Sequence, residues 1–246
     1  MLKGSMNLLK PLISARWICK RECLERALAE PVVMEDGVVY LTGIPEYAVR
    51  LGKAGLPCIF ADVGQGAEVS GVDLILCMEE DQQEPDEELL AKVWQRHYHL
   101  PWLIAETERL YIRESVMEDL PFFLQMYEEE KENPDVIPLA EDAAKELESY
   151  IRYRYPFYGY GIWSLADKKT GVVLGRAGFQ EYGDQTELAY LIGKAYRRQG
   201  YAKEAAGAIL EFGKRELLLE RVCFRTSPGN RASICLGESL GLIRAG

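Results

Sequence analysis

The residues best suited to chemistry lie between Glu187 and Ser233. An apolar, β-type run from Leu188 to Ile192 ends at Gly193, and a basic loop follows with Arg197, Arg198, Gln199 and Gly200. At Gly200 the apolar spacing changes to that of a helix, which begins Tyr201, Ala202, Lys203. Strand, basic loop and helix start together make an anion cradle. The first amides of a helix have no partner within it and carry the positive end of its dipole, and Arg197 and Arg198 add charge. A glycine at 200 lets the backbone approach an anion closely. Glu187 and Tyr190 sit on the strand feeding the cradle, one able to take a proton and one able to give it. Asn230 opens a later helix, with Ser233 three residues on.

These residues need a frame, and the chain supplies one in order. Before them, Pro101 to Thr107 reads as a junction and Glu108 to Glu114 alternates as a strand. Ser115-x-x-Glu118 reads as a capping box opening a helix with Leu120, Phe123, Leu124 and Tyr127, which Asn133-Pro134 ends. A second helix follows Pro138, roughly Glu141 to Arg152, and Tyr153 to Tyr160 reads as a loop able to line a pocket. Strands Gly161 to Ala166 and Val172 to Tyr182 form a hairpin, and Thr186 to Ile192 follows. Helix Tyr201 to Leu218, strand Arg221 to Thr226 and a helix from Asn230 complete the series.

Upstream of the junction the pattern is different. Leu8 to Leu28 has helical spacing up to about Ala29. Strand Val38 to Thr42, helix Pro45 to Ala54, strand Leu56 to Ala61, a Gly64-Gln-Gly66 loop, strand Val72 to Met78 and a helix through Leu89, Val93 and Trp94 follow. That alternation is a small parallel α/β layer. The expected division is therefore 1–105 for this layer and 106–246 for a second domain.

Bulk properties narrow the function. A chain 48% apolar and 28% charged is an ordinary globular one, and its net charge of −10 argues against nucleic acid as the main partner. No apolar run has the length of a bilayer span, and Met1 to Leu12 lacks a signal-peptide core, so the expectation is a cytoplasmic protein with no membrane partner. The six cysteines mostly sit in apolar runs, as reduced thiols packing as small hydrophobes. Cys19 and Cys23 lack a third ligand, so no metal is expected. Glu114 to Glu148 is acidic and Lys194 to Arg231 basic, which suits a cationic substrate meeting an anionic cofactor.

Arg197-x-x-Gly200-x-Ala202 resembles the pyrophosphate-loop signature [QR]-x-x-G-x-[GA] of the GNAT N-acetyltransferases. Thr107-Glu-Arg-Leu110 is similar to the opening of the branch containing ribosomal-protein N-terminal acetyltransferases. Asn230-x-x-Ser233 through Leu240-Gly-Leu242 is similar to the family's late asparagine-helix-glycine segment. The resemblance implies a GNAT α+β fold, a mixed sheet with flanking helices, over about 107–246. It also implies acetyl-CoA as co-substrate, with transfer of acetyl to a primary amine on a peptide or protein N-terminus or a small molecule. Arg197, Arg198, Gln199, Gly200, Tyr201, Ala202 and Lys203 would then hold the pyrophosphate. The Tyr190-Leu191-Ile192 edge would pair with the pantetheine arm, and Asn230, grouped with Ser233, would bond its amides. Glu187 matches the glutamate of "a-E-[IL]-x-Y" and would be the base, with Tyr190 beside it. Side chains alternate along a strand, so both reach one acceptor only if a bulge intervenes.

Two departures from the family stand out. The position seven after Asn230, commonly a tyrosine that protonates the leaving thiolate, is Gly237. The donor would then be Tyr190, Cys235, a loop tyrosine or water, or the thiolate leaves unassisted. The chain also stops soon after Leu242 without the usual final strands. That predicts an uncovered edge at Arg221 to Thr226, which a homodimer partner would cover unless the product is truncated. Two alternatives accompany the enzyme reading. One is a coenzyme-A-binding sensor without turnover. The other is a hydrolase in the first layer, where Thr42 and Gly55-Leu-Pro57 faintly resemble haloacid-dehalogenase-type enzymes, although no Asp-x-Asp precedes them.

Overall fold

The computed structural model describes residues 14–17, 37–62, 66, 68–77, 85–136 and 141–245. They fall into two compact units, divided between Trp102 and Leu103.

The first unit holds four strands, β1 (Ser14–Trp17), β2 (Val38–Thr42), β3 (Cys58–Asp62) and β4 (Leu74–Cys77), all parallel and in sequence order. Its apolar runs are continuous because the sheet is covered on both faces. Val39, Leu41 and Ile59 pack with Leu90, Val93 and Trp94 of α2 (Glu87–His97), while Tyr40 and Phe60 pack with Ala48 and Leu51 of α1 (Pro45–Lys53). Residues 14–17 correct the expectation of a helix there. They pair with β2 from Ser14↔Val38 to Trp17↔Leu41, and that ladder overrides local helical spacing. The rest of the expected helix, with Cys19 and Cys23, lies outside the described residues, as do Gly64 and Gln65.

One contact at the surface ties α2 to the residue before β4 and to the turn after α1. His97 Nδ1 lies 2.9 Å from Asp73 Oδ1, and its Nε2 lies 2.9 Å from Gly55 O. Both ring nitrogens thus face acceptors, the arrangement of an imidazolium. Burial pulls the His97 pKa down, but the Asp73 hydrogen bond and charge, with Gly55 O, outweigh it and leave the value above 6.5. A raised histidine pKa stabilises the fold fully below its unfolded value, and that contribution is lost as pH rises through the folded value. Between about pH 6 and about pH 9, wild-type urea midpoints should therefore fall more than those of His97→Gln. Parallel pH profiles for the two proteins would show that this contact carries no linked stability.

The second unit is a seven-stranded mixed sheet. Its strands are β5 (Leu103–Glu106), β6 (Leu110–Arg113), β7 (Ile162–Asp167), β8 (Val173–Tyr182), β9 (Gln185–Ile192), β10 (Cys223–Phe224) and β11 (Ile243–Arg244), in the order β11-β10-β9-β8-β7-β6-β5. Pairing is antiparallel from β5 to β9 and parallel from β9 to β11. Alternation along the strands gives the sheet two apolar faces. Leu191 packs towards α3 (Leu120–Glu129) and α4 (Ala143–Ser149), with Arg176 over the Phe123 ring. Phe179 lies against Gly213 of α6 (Tyr201–Glu216) and edge-on to Trp163, which also meets Phe212.

Four expectations are corrected here. Leu103–Glu106 is no mere junction but an edge strand paired with β6. The cap before α3 lies one residue along: Val116 N donates to Asp119 Oδ2 (3.1 Å), and a 3-10 turn, Met117–Asp119, precedes the helix. Ser115 N is taken by the Tyr155 hydroxyl instead (3.1 Å). The expected loop at Tyr153 to Tyr160 is helical as far as Tyr158. A π turn, Tyr150–Arg154, runs into α5 (Tyr155–Tyr158), and Gly159 ends it at φ +70°. It brings Tyr150 and Tyr155, five residues apart, edge to face with ring centroids 5.1 Å apart. Tyr150 OH accepts from Ile162 N (2.8 Å), and Tyr155 OH donates to Ile162 O (2.7 Å). Last, the expected bare edge at β10 is occupied by the chain itself, since β11 pairs with it at Cys223↔Ile243 and Phe224↔Arg244. The premise for a second copy at β10 is thereby removed.

Candidate functional site

The site starts from how β9 is held. Against β8 it pairs without a register shift from Gly175↔Ile192 to Tyr182↔Gln185. Glu187 opposite Gln180 and Tyr190 opposite Ala177 therefore point to opposite faces, and the bulge that would align them is not in this ladder. On its other edge β9 meets β10 at one pair, Glu187↔Cys223. Beyond that pair the strands part, and a cavity of about 740 Å³ opens between them. Glu187 to Ile192 line one wall, Phe224 to Thr226 with Asn230 and Ser233 the other, and Arg197, Arg198 and Gly200 to Lys203 the end. Both Glu187 and Tyr190 reach it, because the cavity opens at the strand's edge and not on one face.

At the cavity's end the backbone is shaped for an anion. A short 3-10 turn, Lys194–Tyr196, leads into Arg198 and Gly200 with φ of +61° and +86°. Gly200 caps α6 without any side-chain bond, which leaves the amides of Tyr201, Ala202 and Lys203 with no intrahelical partner. Arg197 is not one of the outward charges. Its Nε donates to Ile192 O (2.8 Å), and its guanidinium lies 2.9 Å from Glu130 Oε1. Gln199 also serves the loop, donating to Ala195 O (3.1 Å).

An acid in the first turn of α6 would repel that anion. Glu204 is such an acid, and a cation answers it. Arg109 Nε donates to Glu204 Oε2 (2.7 Å), while Thr107 Oγ1 (2.6 Å) and Arg109 N (2.9 Å) donate to Oε1. Burial pushes the Glu204 carboxyl up, but the Thr107 and Arg109 hydrogen bonds and the Arg109 charge bring it below the ordinary range. The same guanidinium stacks on Tyr201 (4.2 Å to the ring centroid) and donates to Gln199 O (2.9 Å). Thr107-Glu-Arg-Leu110 thus fastens the start of the sheet to the cradle. Arg109 and Glu204 escaped sequence reasoning. The available signal was an acid one turn into a helix whose start is built for anions.

The other wall is held as closely. Asn230 Oδ1 accepts from Ser233 N (3.2 Å), capping α7 (Arg231–Ser239), while its Nδ2 donates to Asp135 Oδ2 (2.8 Å). Both ends of this amide are engaged within the chain. Ser233 Oγ accepts from the Tyr190 hydroxyl (2.9 Å). Burial raises the Tyr190 pKa; the Ser233 bond opposes this, and the Asp135 charge adds to it. Glu187 is no surface glutamate, with 4% of its surface exposed. Its Oε2 accepts from Gln180 Nε2 and Arg225 (2.8 Å each), and Arg225 stacks on Tyr182.

Gly237 has a packing reason. A Cβ there would stand 2.5 Å from the Phe224 ring, so the ring fills the place a larger residue would need. Of the thiols, Cys58 and Cys223 are buried as expected, but Cys77 and Cys235 are exposed. Cys235 does not line the cavity. Among the described residues no cluster of His, Cys, Asp and Glu is placed to hold a metal, and no helix is long and apolar enough to cross a membrane.

The family model of the acetyltransferase (GNAT) domain matches residues 109–243, more than half of the chain. The chain belongs to the GNAT acetyltransferase family. Members of this family use acetyl-CoA. Over 89 residues it is 37% identical to the uncharacterized protein YkkB of Bacillus subtilis, covering 35% of this chain and 52% of that protein. It is 27% identical over 147 residues to the uncharacterized N-acetyltransferase p20 of Bacillus licheniformis, covering 57% and 82%. The chain thus spans about half the length of YkkB. The acetyltransferase structure from Agrobacterium tumefaciens is similar at 25% identity and TM-score 0.50, covering 56% of this chain and 81% of that one. The GNAT site fits coenzyme A on its own geometry: uncapped amides for a pyrophosphate, and a strand edge without a ladder partner for a peptide-like arm.

The tight Gly237 contact yields a direct test. Gly237→Tyr should destabilise the protein by about 1–3 kcal/mol through overpacking against Phe224. Urea unfolding measures it, and an unchanged midpoint would mean the ring moves aside freely.

Proposed function

We propose that this protein is an N-acetyltransferase carrying acetyl from acetyl-CoA to a primary amine, on a peptide or protein N-terminus or on a small molecule. The observation that carries this reading is the parting of β9 from β10 with the uncapped start of α6 at its end. Acetyl-CoA supplies the acetyl thioester, a peptide-like arm and a pyrophosphate. The amides of Tyr201, Ala202 and Lys203, with Arg198 and Lys203 nearby, hold the pyrophosphate. Leu191 and Ile192 offer the strand edge to the arm. Arg197 and Gln199 brace the loop from within.

An amine attacks only when neutral, and free amines have pKa values of about 8 to 10, so a proton acceptor is needed. Glu187 takes that role, on Oε1, because Oε2 is committed to Gln180 and Arg225. Tyr190, kept neutral by its raised pKa, gives a proton to the leaving sulfur once its hydroxyl turns from Ser233 Oγ. Reduced cysteines at 58, 77, 223 and 235 agree with a cytoplasmic setting. The acetyltransferase part is residues 106–246, and residues 1–105 are a small α/β domain with a packing role. Thr42 there is fully buried, and its hydroxyl accepts from Ile44 N (3.1 Å).

A second reading, a coenzyme-A sensor without turnover, is favoured by one observation: Phe224 closes the space at Gly237. Calorimetry with acetyl-CoA, followed by thiol release over a panel of amines, separates the two. We expect binding and release; binding with no release on any amine would favour the sensor. Gly200→Val should abolish binding, since its φ is left-handed and a Cβ would sit 3.3 Å from Arg109. Glu187→Gln should leave binding intact and slow turnover about 10²-fold or more. Undiminished turnover in that variant would remove Glu187 as the base.

A further inference from the structure

The two walls of the cavity belong to different elements, and the sheet joins them at only one pair, Glu187↔Cys223. A third segment, Asn133 to Val136, also lines the cavity and bridges the two walls. The segment after α3 carries Glu130, Asn133 and Asp135, and it reaches both walls. Towards the cradle, Glu130 Oε1 lies 2.9 Å from the Arg197 guanidinium, an ion pair whose N–H is not aligned on the oxygen, and 3.5 Å from Lys194 Nζ. Glu130 is 5% exposed, and its Oε2 accepts from Asn133 Nδ2 (2.8 Å). Asn133 Oδ1 in turn accepts from Asp135 N (3.1 Å).

Towards the opposite wall, Asp135 is a collector of donors. Its carboxylate accepts from Thr226 Oγ1 (2.9 Å), Ser227 N (2.7 Å), Ser227 Oγ (3.1 Å) and Asn230 Nδ2 (2.8 Å). All four donors are neutral groups on the loop between β10 and α7. Asn230 leads through Ser233 to the Tyr190 hydroxyl, and Tyr190 lies two residues before Ile192, whose carbonyl takes Arg197 Nε. The path therefore closes on itself: β9, Arg197, Glu130, Asn133, Asp135, Asn230, Ser233, and β9 again.

We propose that this closed ring sets the width of the coenzyme A groove, with Glu130 and Asp135 as positioning residues that act through Arg197 and Asn230. The proposal rests on the acetyl-CoA reading above. The physical argument is preorganisation. A ligand spanning two walls binds tightly only if their separation is fixed beforehand, since otherwise binding must supply the ordering entropy. A ring opens as a whole when any link is cut. Its links must then act as one unit, and their losses must not add.

The test is a double-mutant cycle on coenzyme A binding, read by calorimetry on the full chain. Glu130→Gln, which removes the charge facing Arg197, and Asp135→Asn, which weakens the hydrogen bonds it collects, should each weaken binding about tenfold. The double variant should be no more than about threefold worse than the weaker single. Asn133→Ala, which removes the middle link and no charge, should also cost about tenfold, and it replaces either variant that does not fold. In Glu130→Gln the Ser227 amide, bonded only through Asp135, should exchange its hydrogen faster. The acetyl-CoA KM should rise about tenfold while kcat changes less than about threefold. Additive losses, about hundredfold in the double variant, would overturn the ring in favour of two separate local contacts. Unchanged binding in the singles overturns it too while leaving the acetyl-CoA reading intact. A wild-type protein that fails to bind coenzyme A overturns both.

Discussion

The second unit depends on two parallel strands meeting once. β9 is bound to β8 along its whole length, so it cannot turn to follow β10. β10 in turn is held elsewhere: Phe224 packs on Gly237 of α7, its carbonyl accepts from Ala245 N (3.0 Å), and β11 pairs along its far edge. Strands anchored to different partners must part beyond their shared pair. The gap leaves backbone edge groups of β9 without a ladder, and unmet backbone groups facing a cavity are the raw material of a binding site. Gly237 thus serves the fold first. Its lack of a side chain admits Phe224, and Phe224 keeps β10 where the gap requires it.

Three acids around that gap have neighbouring cations, and Asp135 is met by four neutral donors. Glu204 is answered by Arg109, Glu130 by Arg197 and Lys194, and Glu187 by Arg225. An anion cradle next to uncompensated acids would be self-defeating, because carboxylates a few ångströms from a pyrophosphate repel it strongly in a partly desolvated groove. The cation pairs offset that repulsion locally, and under the proposed reading the helix amides, Arg198 and Lys203 meet the pyrophosphate. They also order the loop. Arg109 reaches Glu204, Tyr201 and Gln199 O at once, so the cradle's backbone is fixed before any ligand arrives.

Beneath α3 and α4 lies a second set of buried polar contacts. Arg113 and Asp119 form a bidentate pair (2.8 Å each), Ser164 Oγ donates to Asp119 Oδ2 (2.7 Å), and Ser115 joins Ser164 to Tyr155. Buried ions are tolerated only when each has partners, and this set meets that condition. It explains why the helix after Ser115 starts a residue late and why the next one widens into a π turn. Both irregularities place side chains on this network.

Local features were legible in the sequence, and their reasons are local too. The cradle was readable because a left-handed Gly200 and a change to helical spacing are properties of a few adjacent residues. The alternation of strands and helices was readable because side-chain period follows backbone geometry. Partner choice was not. Thr107 meets Glu204 across 97 positions, and Asp135 meets Asn230 across 95. No short-range pattern announces such pairs, so the sequence does not show that Arg197 and Asn230, which line the cavity, are also held by Glu130 and Asp135. Residues 14–17 and Ile243–Arg244 became strands because a neighbouring strand offered hydrogen bonds, which spacing along the chain cannot reveal. The sequence by itself determined the family, the strand-loop-helix geometry around Gly200 and the alternation of elements from β6 to α7. Only the tertiary structure decided which polar groups are left over for a ligand, because that depends on which ones the fold has already paired.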